Sequence, residues 1–414
     1  MNSNKTIIEK IFEKHSLEGI EPGKVVWFDI DYRAARDFGG PNVVKHLTEH
    51  FKDNRIENPG KTFFTFDTCA PAKTIAYANS QQKCRLFAAN ENIKVFDVDM
   101  GIGSHVAIEE GLIYPGVTSV STDSHMNIVG GIGAFGQGMG DVDIAFIFRT
   151  GKTWFEVPET IKIKLKGNIS YPVTAKDVTL KIVGTLGQKG ALGKAIEYYG
   201  DTVDNLKLFE RLTLASMATE MGSIISFIPP SDSILKRMSN KTGTDIKGVF
   251  ADENARYVKE IKINIDGLEP QIALPPSPDN VKNIKDVVRL NIDSVFVGSC
   301  TNGRYEDIKL VADYLNGKMV APKVMMRIVP ATKFVYQKLL ENGDLERLVK
   351  SGAIVSNPGC GGCAEGQIGM TGKGEVQLST SNRNFPGKQG AGDTYLVSPL
   401  VAAASALKGE ISLP

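Results

Sequence analysis

Short apolar runs rich in β-branched residues recur along this chain, and each ends in polar or glycine residues. The clearest runs are 61–67, 93–99, 117–123, 293–300, 323–330 and 353–360. Helical patterns lie between them, and this alternation is typical of the α/β fold class. Ligands of open α/β sheets bind at the carboxyl ends of the strands, so the polar residues at these ends are the first candidates for a functional site.

The periodicity lapses at residues 268–283, where prolines cluster. A chain of 414 residues is long enough for two or three domains with cores of their own. We therefore predict one or two intertwined α/β domains in residues 1–285 and a further α/β domain in residues 286–414.

Charge and targeting signals argue against several classes of protein. The formal net charge is +1 and no long basic run occurs, which argues against nucleic acid as a partner. Residues 1–19 have a helical pattern without the apolar core of a signal peptide, and no run of about 18 apolar residues could span a membrane. Five cysteines, an odd number, do not suit a secreted disulfide framework. We expect a cytoplasmic protein with no membrane segment.

Three of the five cysteines, Cys300, Cys360 and Cys363, stand in glycine-flanked loops that follow apolar runs. A Cys-x-x-Cys pair can form a redox disulfide, half a zinc site or part of an iron–sulfur site. A thioredoxin-type motif needs no third cysteine, and a structural zinc site commonly uses two such pairs. Three thiolates can hold three irons of a cubane and leave the fourth iron open as a Lewis acid. The residues alone leave open that these are two loop cysteines and a buried one.

Five longer stretches occur in an order and at approximate spacings that are specific when taken together. They are STDSHMNIVGGIGAFGQGMGDVDIA (121–145), TGKTWFEVPETI (150–161), TAKDVTLKIVGTLG (174–187), VGSCTNGRYEDI (297–308) and GEVQLSTSNRNFPGKQG (374–390). Through them the whole chain resembles the large subunit of the aconitase/3-isopropylmalate dehydratase family. In length it resembles the short bacterial and archaeal large subunits, which lack the mobile fourth domain of one-chain aconitases.

The resemblance implies three α/β domains around one [4Fe-4S] cluster, two of them intertwined in residues 1–285 and the third in residues 286–414. It implies that Cys300, Cys360 and Cys363 ligate the cluster and that one iron is open to the substrate. It also implies a hydro-lyase that dehydrates or isomerises a hydroxy di- or tricarboxylic acid, with 3-isopropylmalate, an intermediate of leucine biosynthesis, as the first candidate. A separate small subunit, in a heterodimer or heterotetramer, would close the cleft and supply the serine base and much of the specificity.

The same resemblance assigns roles to further residues. The Asp-Ser-His triplet at 123–125 can move protons or hold water near the cluster, although a triplet of this kind at a strand end is commonly a helix cap. Arg383 is the expected carboxylate clamp, because its guanidinium is planar and permanently charged. The candidates for catalysis are Asp67, His105, Asp123, Ser124, His125 and Glu220, and those for substrate binding are Asn302, Asn382, Arg383 and Lys388.

Four positions depart from the family pattern. Thr68 and Ser104 stand where the family has histidines, Ser216 replaces an asparagine, and Lys388 replaces an arginine. The histidine missing after Asp67 is a candidate proton donor to the leaving hydroxyl, and such assistance is typically worth about 10²–10⁴-fold in rate. Three explanations stay open: His105 replaces the missing histidine, iron-bound water suffices as the proton donor, or the enzyme acts on a different hydroxy acid. Three other histidines lie in charged helical surroundings and are expected at the surface: His15, His46 and His50.

Several alternatives stay open at this point. Homoaconitate, citrate or aconitate, and 2,3-dimethylmalate are rival substrates, because the stretch DSHMNI lacks the SHTCT typical of isopropylmalate enzymes. A cluster-containing sensor or binding protein without turnover is the alternative from a different class, and the near-zero charge argues against RNA as its ligand. A zinc or disulfide protein is the third alternative.

Overall fold

The computed structural model describes residues 4–51, 55–287, 289–363, 365 and 367–414. Its strands, in chain order, are β1 (Val25–Asp29), β2 (Tyr32–Arg36), β3 (Thr62–Thr65), β4 (Lys94–Phe96), β5 (Thr118–Ser121), β6 (Phe135–Gly138), β7 (Lys152–Glu156), β8 (Thr160–Lys166), β9 (Ala195–Tyr199), β10 (Ile225–Phe227), β11 (Lys259–Asn264), β12 (Gln271–Ala273), β13 (Val281–Asn283), β14 (Ser294–Val297), β15 (Met325–Ile328), β16 (Ile354–Val355), β17 (Val376–Ser379) and β18 (Asp393–Val397).

Helices connect most of these strands. They are α1 (Ile7–His15), α2 (Gly40–His50), α3 (Ile75–Glu91), α4 (Gly103–Glu109), α5 (Asp141–Thr150), α6 (Ala175–Leu186), α7 (Asp201–Asp204), α8 (Leu208–Ser216), α9 (Asp232–Thr242), α10 (Ser299–Asn302), α11 (Tyr305–Leu315), α12 (Lys333–Glu341), α13 (Asp344–Lys350) and α14 (Pro399–Lys408). Short 3-10 helices lie at Pro59–Lys61, Met126–Ile132, Thr219–Met221, Ile284–Asp286 and Gly361–Cys363.

The first sheet has five strands in the order β4-β3-β2-β5-β6, and all neighbours are parallel. Every residue of β3 and of β5 is buried, as expected for parallel strands that are covered on both faces. Beside this sheet, β1 and β7 form an antiparallel pair. Phe12 of α1 stacks on Phe28 of β1 and meets Phe135 of β6 edge-on, so one aromatic core joins α1, the pair and the sheet.

The other two sheets come from the rest of the chain. The second has four parallel strands in the order β10-β9-β8-β11. The third has seven strands in the order β13-β12-β18-β17-β14-β15-β16, and β14 to β18 are parallel. Its antiparallel edge, β12 and β13, precedes residue 286. The predicted division of the chain at residue 285 stays a prediction.

The α/β fold class predicted from the alternating pattern is confirmed. All six apolar runs contain a strand. The strands β3, β5, β14 and β16 are each followed closely by polar or cysteine residues. No helix in the described parts of the chain is both long enough and apolar enough to cross a membrane.

A close backbone contact holds the first sheet's loops against the third sheet's. Gly101 forms a backbone bridge with Thr332, and the amide of Ile102 donates to the carbonyl of Ala331 at 2.8 Å. Gly101 has a φ of +95°, and a Cβ there would lie 2.2 Å from the Ala331 oxygen. Only glycine permits this approach. A second contact, from the amide of Cys360 to the carbonyl of Asp67 at 2.9 Å, brings two predicted site residues together.

The expectation that His15 is a surface residue is wrong. Its Nε2 lies 2.8 Å from Asp31 Oδ2 and its Nδ1 lies 2.7 Å from the carbonyl oxygen of Ile11, in a half-buried position. Burial disfavours the imidazolium, but the bonds to Asp31 and Ile11 outweigh it and the pKa of His15 is raised. Burial also opposes the charge of Asp31, yet hydrogen bonds from His15 and Thr118 lower the pKa of Asp31 to about 2.

Replacing His15 by asparagine should therefore cost about 1 kcal/mol of the free energy of unfolding near pH 5.5, and less near pH 8.5. A histidine whose folded pKa is raised stabilises fully below its unfolded pKa of about 6.5, and that stabilisation is lost as the pH rises through the folded value. The lowered pKa of Asp31 keeps the pair intact above about pH 4. Urea unfolding followed by circular dichroism measures the loss, with the same substitution at the exposed histidine of α2, His50→Asn, as the control. Equal losses at the two pH values would contradict this account.

Candidate active site

A cavity of about 410 Å³ opens where the strand ends of the first and third sheets meet. Its lining comes from the loops after β2, β3, β5, β16 and β17. The residues are Arg36, Phe38, Thr68, Tyr77, Thr122, Asp123, Ser124, His125, Cys360, Cys363, Glu365, Arg383, Gly387 and Lys388. Besides Cys360 and Cys363, five residues singled out in the sequence line this cavity: Asp123, Ser124, His125, Arg383 and Lys388. Two more, Asp67 and Glu220, each form a hydrogen bond with a lining residue.

Arg36, the last residue of β2, connects three of the predicted site residues. Its Nε donates to Asp67 at 2.7 Å, one terminal nitrogen donates to Asp123 at 3.2 Å, and the other lies 2.6 Å from the sulfur of Cys360. The second oxygen of Asp67 accepts the amide of Gly103 at 2.9 Å. One guanidinium thus neutralises two buried carboxylates and donates to a cysteine sulfur.

The two carboxylates of this group differ in their acidity. Burial raises the pKa of Asp67 to about 6, in spite of the opposing charge of Arg36. Burial acts in the same direction on Asp123, but the charges of Arg36 and His125 outweigh it, so the pKa of Asp123 is lowered. Neighbouring carboxyl groups with pKa values pushed apart are typical of sites that carry out acid–base chemistry.

A second group lies on the other side of the cavity. Glu220, in the 3-10 helix Thr219–Met221, has its Oε1 3.1 Å from Nε2 of His125 and accepts Nε of Arg383 at 2.8 Å. The side chains of His125 and Glu220 are almost fully buried. Burial works to raise the pKa of Glu220, yet His125 and Arg383 overcome it and the pKa is lowered. The other oxygen of Glu220 has no hydrogen-bond partner in the described residues.

The three predicted ligand cysteines are free and lie close together. Cys300 and Cys360 are buried and Cys363 is partly exposed, and the three pack in one cluster. Burial raises the pKa of the Cys300 and Cys360 thiols, and the charges of Asp123 and of Cys363 add to it. The remaining two cysteines are unlike them: Cys84 lies in the core of the first sheet, where burial raises its pKa to about 12, and Cys69 is buried beyond the cavity lining.

This donor set fits a cluster held by thiolates. Asn382 Nδ2 donates to Cys300 Sγ at 3.3 Å and Arg36 donates to Cys360, and hydrogen bonds of this kind to ligand sulfurs tune iron–sulfur sites. In the described residues no three histidine, cysteine or acidic side chains converge to hold one metal ion. That finding concerns a mononuclear site, because a cubane takes its three thiolates on three different irons.

His105 and Asn302 neither line the cavity nor form a hydrogen bond with any described residue that lines it. His105 is fully buried behind it, with Nε2 2.8 Å from the carbonyl oxygen of Cys300 and Nδ1 2.6 Å from Arg304. Burial and the charge of Arg304 lower the pKa of His105 to about 3, so the imidazole ring is neutral near pH 7. Asn302 donates to Asp307 at 2.9 Å and lines a separate, smaller cavity. Their predicted catalytic and substrate-binding roles stay predictions.

Sequence reasoning missed two cationic side chains. Arg36 lies outside the five stretches that carry the family resemblance. It does stand at the end of a strand, beside Asp37, which is where polar residues of ligand sites are commonly found. Lys176 is fully buried on α6, where Nζ donates to the carbonyl oxygens of Thr380, at 3.0 Å, and of Ser381. Burial lowers the pKa of Lys176 to about 7. It anchors the loop that carries Asn382 and Arg383. In the sequence, the feature that could have identified Lys176 is a lysine within a largely apolar helical pattern.

Comparison with known proteins adds an independent finding. The family described as Aconitase family (aconitate hydratase) matches residues 9–409. The chain belongs to the aconitase family. Within this family, it is 41% identical to 3-isopropylmalate dehydratase large subunit 1 of Methanopyrus kandleri, over 99% of both chains. It is 37% identical to the probable methanogen homoaconitase large subunit of Methanothermobacter thermautotrophicus, over 98% of this chain and 96% of that one.

A solved structure shares the fold of this aconitase-family chain. It is the holo-form of Thermococcus kodakaraensis aconitase X, which superposes with a TM-score of 0.51 at 11% sequence identity. The match covers 86% of this chain and 84% of the other. The resemblance stated from the five sequence stretches is therefore confirmed, and so is the fold class that it implied.

Proposed function

We propose that this chain is the large subunit of a cytoplasmic iron–sulfur hydro-lyase, which works with a separate small subunit on a hydroxy di- or tricarboxylic acid. The observation that carries the proposal is the gathering of Cys360, Cys363, two buried carboxylate–cation groups and a histidine around one cavity, with Cys300 in the same side-chain cluster as the other two cysteines. The names of the relatives support 3-isopropylmalate as the first substrate to test.

Cys300, Cys360 and Cys363 would hold a [4Fe-4S] cluster at the floor of this cavity. When bound, such a cluster supplies a Lewis-acidic iron with an open position, which suits the departure of a hydroxyl group from the substrate. Arg36 and Asn382 would support it by donating hydrogen bonds to two of the sulfurs.

The cations of the cavity would bind the substrate's carboxylates. Arg383 uses Nε for Glu220, and within the described residues its terminal NH₂ groups have no hydrogen-bond acceptor. These groups can accept a carboxylate in a bidentate manner, while Glu220 fixes the plane of the guanidinium. Lys388 lines the same cavity and adds a second positive charge, which as an ammonium acts as a point charge.

The His125–Glu220 pair would handle a proton. A carboxylate 3.1 Å from Nε2 holds the imidazole in one orientation and stabilises its cation. The pair is buried at the cavity wall, so a proton held on His125 is shielded from bulk water. Asp123 and Ser124 place His125, since Asp123 Oδ1 accepts the His125 amide at 3.1 Å. The base that removes the carbon-bound proton would come from the small subunit, as the family resemblance implies.

Homoaconitate is the second candidate substrate. Arg383 and Lys388, which line the cavity, can bind two of the substrate's carboxylates. Relatives named as probable methanogen homoaconitase large subunits, at 37% and 39% identity, agree with that assignment.

The proposal is tested by co-expressing the chain with a small subunit, purifying the complex without oxygen and supplying iron and sulfide. Ultraviolet absorbance then detects the unsaturated acid formed from 3-isopropylmalate, homocitrate or homoisocitrate, citrate or 2,3-dimethylmalate. We expect turnover of one of these acids, and its loss in Cys360→Ser. A complete cluster with no turnover of any acid would overturn the enzymatic proposal in favour of a sensor or binding protein.

A further inference from the structure

A second cavity, of about 520 Å³, lies apart from the candidate active site and shares no lining residue with it. It is formed by the start of α8, by α9, by α11 and by α12. Its residues are Glu109, Lys207, Leu208, Phe209, Arg237, Arg304, Tyr305, Glu306, Lys309, Leu310, Asp313, Phe334, Val335 and Lys338. This volume can hold a small metabolite.

The lining carries more positive than negative charge. Five of its side chains are cations and three are carboxylates. Asp313 is already occupied, because it pairs with Lys309 at 2.6 Å and with Arg347 at 2.9 Å. In the described part of the chain, Arg237 and Lys207 form no ion pair with a carboxylate. The lining therefore carries an excess of positive charge, although Glu109 and Glu306 offset part of it.

Arg304 is the buried member of this group. It is 7% exposed, and its Nε has no hydrogen-bond partner among the described residues. Burial lowers the pKa of Arg304 against the opposing charges of Glu109, Glu306 and Asp307, and the nearby positive charge of Arg237 lowers it further. Two guanidinium groups near each other in one cavity lining are an arrangement that a bound oxyanion stabilises.

The apolar part of the lining points to the rest of the ligand. Leu208, Phe209, Phe334 and Val335 stand beside the cations. An inorganic ion would leave this surface in contact with water, whereas an organic anion with an apolar body would cover it.

We propose that this cavity binds a small organic anion, with a carboxylate or phosphate head on Arg237 and Arg304 and an apolar body against Phe209 and Phe334. Through the 2.6 Å contact of Arg304 with His105, which meets the Cys300 carbonyl at 2.8 Å, the ligand would lie directly behind the Cys300 loop. The inference does not depend on the proposed reaction.

Isothermal titration calorimetry of the full chain with phenyl phosphate, benzoate and inorganic phosphate tests the proposal. We expect one phenyl phosphate or benzoate per chain, the better of the two naming the head group, and inorganic phosphate at least about tenfold weaker. Arg237→Ala should weaken binding by about tenfold or more, as the loss of a charge-assisted hydrogen bond does. Lys236→Ala removes the same charge from the same helix outside the cavity, and Arg383→Ala removes a cation from the other cavity. Both should bind like the wild type.

The outcomes separate clearly. Absence of binding by either aromatic anion, or equal weakening by Arg237→Ala and Lys236→Ala, would overturn the proposal. Loss of binding in Arg383→Ala alone would assign the anion to the candidate active site and overturn it as well. Hydrogen exchange of the backbone amides provides a second readout: with phenyl phosphate bound, we expect slower exchange in residues 299–310 of the wild type and no change in Arg237→Ala.

Discussion

Arg36→Gln is expected to lower the free energy of unfolding by about 3–5 kcal/mol, because it leaves buried carboxylates without their counter-charge. Asp67 and Asp123 both depend on this guanidinium, and the side chain of Asp67 is fully buried. Glutamine can replace part of the hydrogen bonding but none of the charge. Among the substitutions considered, this one should have the largest effect on stability.

The effect should also depend on pH. Without Arg36, the folded pKa of Asp67, already above the unfolded value of about 3.9, rises further, and the folded pKa of Asp123 is no longer held down by this positive charge. A carboxyl whose folded pKa is raised destabilises the fold as the pH rises through the interval between the two values. The variant should therefore be closer to the wild type near pH 5 than near pH 8.

Guanidinium chloride unfolding followed by circular dichroism at the two pH values measures both effects. Arg85→Gln is the matched control, since Arg85 forms a partly exposed pair with Asp97 and should cost about 1 kcal/mol or less. An Arg36→Gln protein as stable as the wild type near pH 8 would show that the two carboxylates are not held by this cation.

Glu220→Gln is expected to lower kcat of the reconstituted complex by about 10²–10⁴-fold, the range of general acid–base assistance. The amide keeps the shape of the side chain and removes the charge that stabilises protonated His125 and orients Arg383. Because Arg383 keeps its own charge, substrate binding should suffer less than the chemical step, and KM should change by less than about tenfold.

Steady-state kinetics over a range of pH is the measurement. Glu260→Gln, which removes a carboxylate from an exposed pair with Lys164, should leave kcat within about twofold. A Glu220→Gln enzyme with an unchanged kcat across this pH range would remove the His125–Glu220 pair from the mechanism.

Much of the site was predictable from the sequence because it lies at strand ends. Asp123 to His125 follow β5, Cys360 follows β16, and parallel strands of a sheet end at one edge. Motif order along the chain could then identify which of these loops belong together, and the structure brings Cys300, Cys360 and Cys363 into one cluster.

The remaining features depend on side-chain packing that no local pattern encodes. Ser104 and His105 are neighbours on α4, where successive residues point about 100° apart, and the contacts with Arg304 and the Cys300 carbonyl decide that His105 faces away from the cavity. Asn302 likewise turns to Asp307 rather than to the cavity. Arg36 could not be assigned, because its partners are 31 and 324 residues away along the chain.

The central claim is that Cys300, Cys360 and Cys363 together hold one iron–sulfur cluster, and counting iron and acid-labile sulfide after anaerobic reconstitution tests it most directly. The account predicts about four irons and about four sulfides per chain for the wild type. Each of the three cysteine-to-serine variants should retain less than half of this content, while Cys84→Ser, at a core position that does not line the cavity, should retain all of it. Full iron and sulfide content in any one of the three serine variants, or none in the wild type, would contradict the account.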